Sequence, residues 1–441
     1  MTDVVAAGPI EQAALLRSGD LSSRQLTEAT LEAIERENQT LNAVVEMLAE
    51  EALEAADEAD RRRAQGEDGL FLGVPIAVKN ELDIAGHVTT NGSLACTQMA
   101  SADDEIVGRF RQAGMPMVAT TTLPELATSG FTESAAFGIT RNPHDRDRTP
   151  GGSSGGSAAL VASGAVGLAT ASDGGGSIRI PAACCGLPGF KPTHGTMPSS
   201  GGWHGMSTQG CLAQRLADVA LFLDTFGSFN TRLFDAIRSD TKTLRVGVSM
   251  AGSAAAGMRP LDTEVRDGVR AAADRLSDLG HDVRDAKLNY GVDSKALTVR
   301  FLGGIRQSAD EVDDPSLLQK NTKGMARAGR VFGPRTIAWA QRAGQRWGDT
   351  VHDSLDVDVL LTPVMTGVAP PVGHFGGRGG IRTVLAMNAF YPYTAQWNHA
   401  GLPAVSMPAG SDAGGRPLAV QLIGRRGADA TVMSLAAQLE D

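Results

Sequence analysis

Apolar positions along the chain recur at helical spacing first and in short dense runs later. In residues 1–65, Leu26, Ala29, Leu31 and Ile34 fall on one helical face, and Ser22 or Ser23 stands where a helix needs an N-terminal cap. Residues 50–63 read as a charged surface helix. The run GVPIAV at 73–78 reads as a short buried strand and leads directly into Lys79. Helix and strand signals then alternate. Residues 107–114 look like the end of a helix, 115–121 like a strand, and 159–172 like a helix followed by a strand. Strands are also predicted at 244–249 and 356–364, with an amphipathic helix over 261–280. This alternation predicts a layered α/β fold around a largely internal sheet. Residues 228–242 are polar and read as a surface connection. Residues 287–350 have helical composition without a motif, and the Gly-rich stretch 373–383 is expected to be a mobile loop.

Composition narrows the function classes. The 441 residues are 42% hydrophobic and 20% charged, as in a soluble globular protein, and a large α/β enzyme of this length can be one unit. A net charge of −10 gives no basic surface for nucleic acid. No apolar run reaches the ~18 residues of a membrane span. The first residues lack a basic start followed by an apolar core, so no secretory signal and a cytoplasmic location are expected. Cys96, Cys184, Cys185 and Cys211 match no zinc spacing, and the eight histidines form no HExxH. Neither a metal site nor a cofactor is expected, and the thiols read as idle in a reducing compartment.

Three segments carry candidate chemistry: GVPIAVKNELD around Lys79, TPGGSSGGSAALVASG around Ser153, and ASDGGGSIRIPAACCG around Ser177. Gly174, Gly175 and Gly176 permit a tight turn whose exposed amides form an anion-binding concavity. A serine closing such a turn places a nucleophile beside an oxyanion hole, as acyl transfer requires. The same loop also fits a phosphate cradle, although GGSSGGS lacks the lysine that ends a P-loop. GGSSG matches the G-x-S-x-G nucleophile elbow, which would make Ser153 the nucleophile with a later Asp and His. The polar, Pro-broken NPHDRDRTPGG before it is unlike the buried strand that feeds an elbow. From Ser153, a helix of about ten residues spans ~15 Å outward. A turn at Gly164 and a strand of about six residues then return ~20 Å toward Ser177. A lysine at a strand end is usually a solvated terminus. If buried, its ammonium is disfavoured and the neutral amine becomes a competent base.

Taken together, the three segments resemble the amidase signature family in order and in the separation of Ser153 from Ser177. LTEATLEAIERENQTLNAVV, FGITRNPHD, DVLLTPV and NHAGLPAVSMPAG resemble further landmarks. The likeness covers roughly residues 10–225 and 355–440, and not 287–350. It implies a three-layer α/β/α sandwich around a large mixed sheet, formed by a single domain. Residues 1–65 would be its N-terminal helices, 66–225 its catalytic core, 226–354 a variable insertion and 355–441 the C-terminal part of the core. By position it implies that Ser177 is the nucleophile and Lys79 the base. Ser153, after a cis peptide bond, would bridge them. The amides of Gly174, Gly175, Gly176 and Ser177 would form the oxyanion hole, Asp173 and Arg179 would brace the loop, and Ala127 and Thr128 would flank the acyl group. Four positions depart from the pattern: Asn80 for the acid that commonly follows the lysine, Ser172 for a threonine, Cys211 for a proline and Gln214 for an arginine.

The expected activity is hydrolysis of a small amide through a Ser177 acyl-enzyme, with aryl amides, carbamates and esters as related substrates and no cofactor. Neither nucleic acid nor membrane is expected as a partner, and a homodimer is the default oligomer. The alternatives are the glutamine-hydrolysing component of an amidotransferase and a non-enzymatic nucleotide- or phosphate-binding protein.

Overall fold

The computed structural model describes residues 2–198, 202–239, 242–253 and 259–440. Ser22 starts the long helix Ser23–Leu41 through a reciprocal capping box with Gln25, which satisfies two backbone amides that the first turn leaves open. Its buried face carries Leu26, Leu31 and Ile34. The helix Ala49–Ala64 has Glu50 and Glu51 in its first turn and Arg61, Arg62 and Arg63 in its last, which suits the helix dipole. It buries only Ala52, Ala56 and Ala59, as a charged surface helix should. Between these helices lies a strand the pattern did not reveal, Val44–Met47.

The protein is an α/β structure whose mixed sheet is divided into two hydrogen-bonded parts. The five-stranded part runs in the order Val44–Met47, Met117–Thr121, Ile76–Lys79, Leu168–Asp173, Thr208–Ala213. Ile76–Lys79 is central and parallel to both neighbours, and the two outer pairings are antiparallel. The six-stranded part orders Asp282–Asp285, Arg245–Val248, Val359–Pro363, Pro417–Gly424, Ala404–Ser411, Gly189–Lys191. The edge strands Thr208–Ala213 and Gly189–Lys191 lie side by side, so the two parts adjoin. The central strands are buried throughout, which explains why they read as continuous apolar runs rather than alternating ones. Phe71, Phe110, Phe222 and Phe226 pack edge-on and tilted over one face, with centroids 4.9–6.5 Å apart. Cys184, Cys185 and Cys211 are buried, and burial pushes their thiols well above the ordinary range. No helix among the described residues is long and apolar enough to cross a membrane.

One stretch adds detail to its expectation and another differs from it. Residues 228–242 contain the short helix Leu233–Ala236, with Leu233 fully buried and its amide donating to Asp224 Oδ1 at 2.8 Å. Asp240 and Thr241 of that stretch lie outside the described residues. Residues 373–383 are not a free loop. Phe375 is 3% exposed and stacks on Phe131 with centroids 4.5 Å apart, and Gly380 opens the helix Gly380–Phe390. The high glycine content masked one anchoring aromatic. Residues 287–350 form the helices Gly291–Lys295, Leu297–Asp310, Lys320–Gly329 and, continuing to 355, Pro334–Leu355.

Phe375→Ala is expected to cost about 3–5 kcal/mol of stability, the range for deleting a buried aromatic ring. Urea denaturation of the purified variant checks this; a change near zero would return 373–383 to the status of an unanchored loop.

Candidate active site

The site lies where parallel strands end. Lys79 is the last residue of its strand and pairs in register with Thr121. Its amide donates to Thr170 Oγ1 at 2.7 Å, which locks it beside the strand that terminates in Asp173. Carboxyl ends of parallel strands leave a crevice that loops can fill. Two Gly/Ser loops fill this one.

The first loop carries Ser153, and the peptide bond between Gly152 and Ser153 is cis. The helix Gly155–Ala162 follows, the chain turns at Gly164 with φ of 76°, and it returns as the strand Leu168–Asp173. This path brings Ser153 Oγ to 2.8 Å from Lys79 Nζ. Ser172 Oγ lies 2.9 Å from the same nitrogen. Lys79 is wholly buried, and burial pulls its ammonium below the ordinary lysine range, against the opposing pull of Glu81 and, more weakly, Asp173.

The second loop holds Gly174, Gly175, Gly176 and Ser177. Gly176 has φ of 124°, and a Cβ there would meet Thr394 Oγ1 at 2.5 Å, so only glycine fits. Thr394 Oγ1 donates to the Gly175 carbonyl at 2.8 Å. The Gly176 amide donates to Asp173 Oδ1 at 2.6 Å. That N–H is therefore engaged, unlike an amide waiting for an oxyanion. The amides of Gly174, Gly175 and Ser177 have no acceptor among the described residues. Ser177 makes no hydrogen bond through its hydroxyl among the described residues. It lines a cavity of about 70 Å³ together with Ala127, Thr128, Ile180, Trp203, Phe301, Met387 and Tyr391. No charged side chain lines this cavity. Ala127, which lines it, and the preceding Leu126 are left-handed non-glycine residues at φ of 54° and 51°, a strained conformation typical of functional loops.

Asp173 and Arg179 form a fully buried ion pair, Nε to Oδ2 at 2.9 Å and Nη2 to Oδ1 at 3.0 Å. Burial alone would raise the Asp173 carboxyl. The Arg179 charge and its hydrogen bonds outweigh that and hold the carboxyl at about 2. Arg179 also donates to the Thr394 carbonyl, Gln421 Oε1 and Asn398 Oδ1. Asn398 Nδ2 donates in turn to the Asp173 carbonyl and carboxylate at 2.6 and 2.8 Å.

Sequence reasoning singled out Lys79, Ser153, Ser177, Asp173, Arg179, Ala127 and Thr128; the fold joins Lys79 to Ser153 and Asp173 to Arg179 and sets Ser177 beside Ala127 and Thr128, while no hydrogen bond links Ser177 to Ser153 among the described residues. It missed Glu81, Thr394, Asn398, Gln421 and the apolar wall of the Ser177 cavity. Asn398 stands inside NHAGLPAVSMPAG, but nothing in that string reveals a partner more than 200 positions away. Ser172, marked only as a departure, touches Lys79 directly.

Asp173→Asn leaves the Arg179 guanidinium buried without its counter-charge, and a cost of about 3–5 kcal/mol is expected. Because the folded carboxyl titrates below its unfolded value of ~4, its contribution is complete above that pH and fades as pH falls toward about 2. Urea midpoints of the two proteins should therefore converge below about pH 4; a constant gap across that window would contradict the pair's electrostatic role.

Comparison with known proteins gives the same family by three routes. The Amidase family model matches residues 25–433, which includes 287–350, the part the motif likeness left out. AmiB2 of Mycobacterium tuberculosis (strain ATCC 25618 / H37Rv) is 39% identical over 100% of this chain and 96% of its own. A glutamyl-tRNA(Gln) amidotransferase component of Synechococcus sp. (strain CC9605) is 33% identical over 96% of this chain and 94% of its own. Among solved structures, 6-aminohexanoate cyclic dimer hydrolase superposes with a TM-score of 0.86 at 28% identity, covering 99% of this chain and 96% of that one. A bacterial aryl acylamidase of the amidase signature enzymes also reaches 0.86, at 26% identity over 98% and 95%. With its strand-end lysine, its Gly/Ser loops and these relatives, the chain belongs to the amidase signature family.

Proposed function

We propose that the protein is a serine amidohydrolase that cleaves uncharged, apolar amides through a Ser177 acyl-enzyme. The observation that carries this reading is the contact of a wholly buried Lys79 with Ser153 Oγ at 2.8 Å, next to a glycine loop that opens on an apolar cavity. Burial makes the Lys79 ammonium easier to deprotonate, and the free amine accepts the Ser153 proton while Ser153 accepts that of Ser177. Ser177 Oγ attacks the carbonyl carbon, and its C–O bond forms as the carbonyl oxygen gains negative charge. The amides of Gly175 and Ser177, with Gly174, are the donors left for that oxygen, since Asp173 engages Gly176. The proton returns through Ser153 to the leaving nitrogen, the C–N bond breaks, and water then hydrolyses the ester.

Substrate class follows from the cavity wall. Ile180, Trp203, Phe301, Met387 and Tyr391 offer apolar and aromatic contact. A zwitterionic amino acid such as glutamine would leave two charges without partners there, at a desolvation cost the wall does not offset. This favours aliphatic or aryl amides over glutamine. Carbamates and esters present the same carbonyl and belong to the same proposal.

Ser177→Ala should abolish amide turnover and labelling by a fluorophosphonate while the fold survives. Full turnover by that variant would end the proposal. Wild-type kcat/KM should rise with pH as Lys79 loses its proton, at a pH below the ordinary lysine range; a profile that falls with rising pH would contradict a lysine base. Met387→Glu places a carboxylate in the wall and should lower kcat/KM for anilides and aliphatic amides by at least about tenfold, following the cost of an unpaired charge, with loss carried mainly by KM. A hydrolysis panel of glutamine, anilides, aliphatic amides, esters and carbamates checks the ranking.

A further inference from the structure

Glu81 lies next to the site without a part in the relay above. The chain turns sharply after the central strand, and the amides of Glu81 and Leu82 both donate to the Lys79 carbonyl, at 2.7 and 3.1 Å. The turn folds the Glu81 side chain back along that of Lys79, with Oε2 3.0 Å from Nζ. Asn80, which stands where an acid commonly follows the lysine, faces away: its amide donates to the Val88 carbonyl and its oxygen accepts from the Thr90 amide. The acid has in effect moved one position along the chain.

We propose that Glu81 is a positioning residue that sets the working pH of the relay by acting as the counter-ion of Lys79. The inference rests on Lys79 being the base. Four facts carry it. Lys79 is the one cation within ion-pair distance of Glu81 among the described residues. Glu81 Oε1 is buried and has no hydrogen-bond partner among them, so the carboxylate is committed to the lysine through Oε2 rather than held by a network. The other groups against Nζ, Ser153 and Ser172, are uncharged hydroxyls. Finally, Glu81 is 12% exposed where Lys79 is 0%, and it lines a second cavity of about 380 Å³ that shares Ala127 and Trp203 with the Ser177 cavity. Glu81 thus stands between the sealed amine and open space.

The neighbouring charges sharpen the expectation. Asp173 acts on Lys79 from the adjoining strand but is neutralised by Arg179. Across the larger cavity, Glu81 faces Asp104, Glu105, Glu311 and the Cys96 thiol, and Asp83 lies close by; none of these is a cation. Burial of Nζ favours the amine, and the Glu81 carboxylate favours the ammonium. Their balance fixes the pH at which the relay can start. An opposite charge within ~4–6 Å displaces a titration by about 1–3 pH units.

Glu81→Gln keeps shape and removes charge. The acid limb of kcat/KM, which reports the free enzyme, should move to lower pH by about one unit or more. Normalised to each plateau, the variant should then be about tenfold more active than wild type low on that limb. A limb that stays in place or moves to higher pH overturns the proposal. Glu81→Asp retains the charge and should keep the limb near the wild-type position; a shift as large as that of the glutamine variant would assign the effect to shape and also overturn it. Ser177→Ala separates the two levels. If it retains turnover, the relay itself is wrong. If it is inactive and unlabelled while the Glu81→Gln limb is unmoved, only the role of Glu81 falls.

Discussion

The Asp173–Arg179 pair is the constraint around which the site is arranged. Removing two charges from water costs more than their attraction returns unless every remaining donor finds an acceptor. Here every donor is met: the five N–H groups of Arg179 reach both oxygens of Asp173, the Thr394 carbonyl, Gln421 and Asn398. Satisfying them forces the loop after one sheet part against segments near 394 and 421 that belong with the other. A loop of three glycines has no side chains with which to hold itself. Its shape is imposed by Asp173 from within and by Thr394 and Asn398 from outside.

Lys79, like Lys191, is a further buried basic residue, and it is left in a different condition from Arg179. Arg179 cannot lose its proton under any ordinary condition, so its surroundings must neutralise it. A lysine can lose its proton, and two hydroxyls with one partly exposed carboxylate do not hold it firmly in either state. The same low-dielectric interior therefore holds a permanent charge at Arg179 and an ammonium that burial disfavours at Lys79. A guanidinium suits bracing for that reason, and an amine suits the proton transfer proposed for Lys79.

What the sequence made legible was local. A capping serine, a lysine at a strand end, glycines before a serine and an out-and-back path through Gly164 all obey rules that act within about thirty residues, and these elements stand where the pattern put them. What it hid was long-range. Asn398 and Gln421 are ordinary polar residues until the fold brings them to Arg179. Glu81 is an unremarkable acid until a tight turn folds it onto its own neighbour but one. Phe375 sits in so glycine-rich a stretch that composition pointed to a loop, whereas its ring stacks on Phe131 and packs against Phe390 and Tyr391.

The division between local and long-range also separates chemistry from selection. The groups that touch Lys79 come from short motifs on the central strands and the two loops. Much of the wall that faces Ser177 comes from elsewhere: beside Ile180 of the glycine-loop segment stand Trp203 before an edge strand, Phe301 from the helix Leu297–Asp310, and Met387 from the helix Gly380–Phe390. Trp203 is admitted because position 304 is glycine, where any side chain would run into it at 2.8 Å. None of these three residues hydrogen-bonds the Asp173–Arg179 lattice among the described residues. Under the proposed function, substitutions at these three positions would change which acyl group fits without breaking the hydrogen bonds that hold the loop. An arrangement of this kind would then let one frame serve different acyl groups, with part of the selection made by helices whose sequences carried no motif.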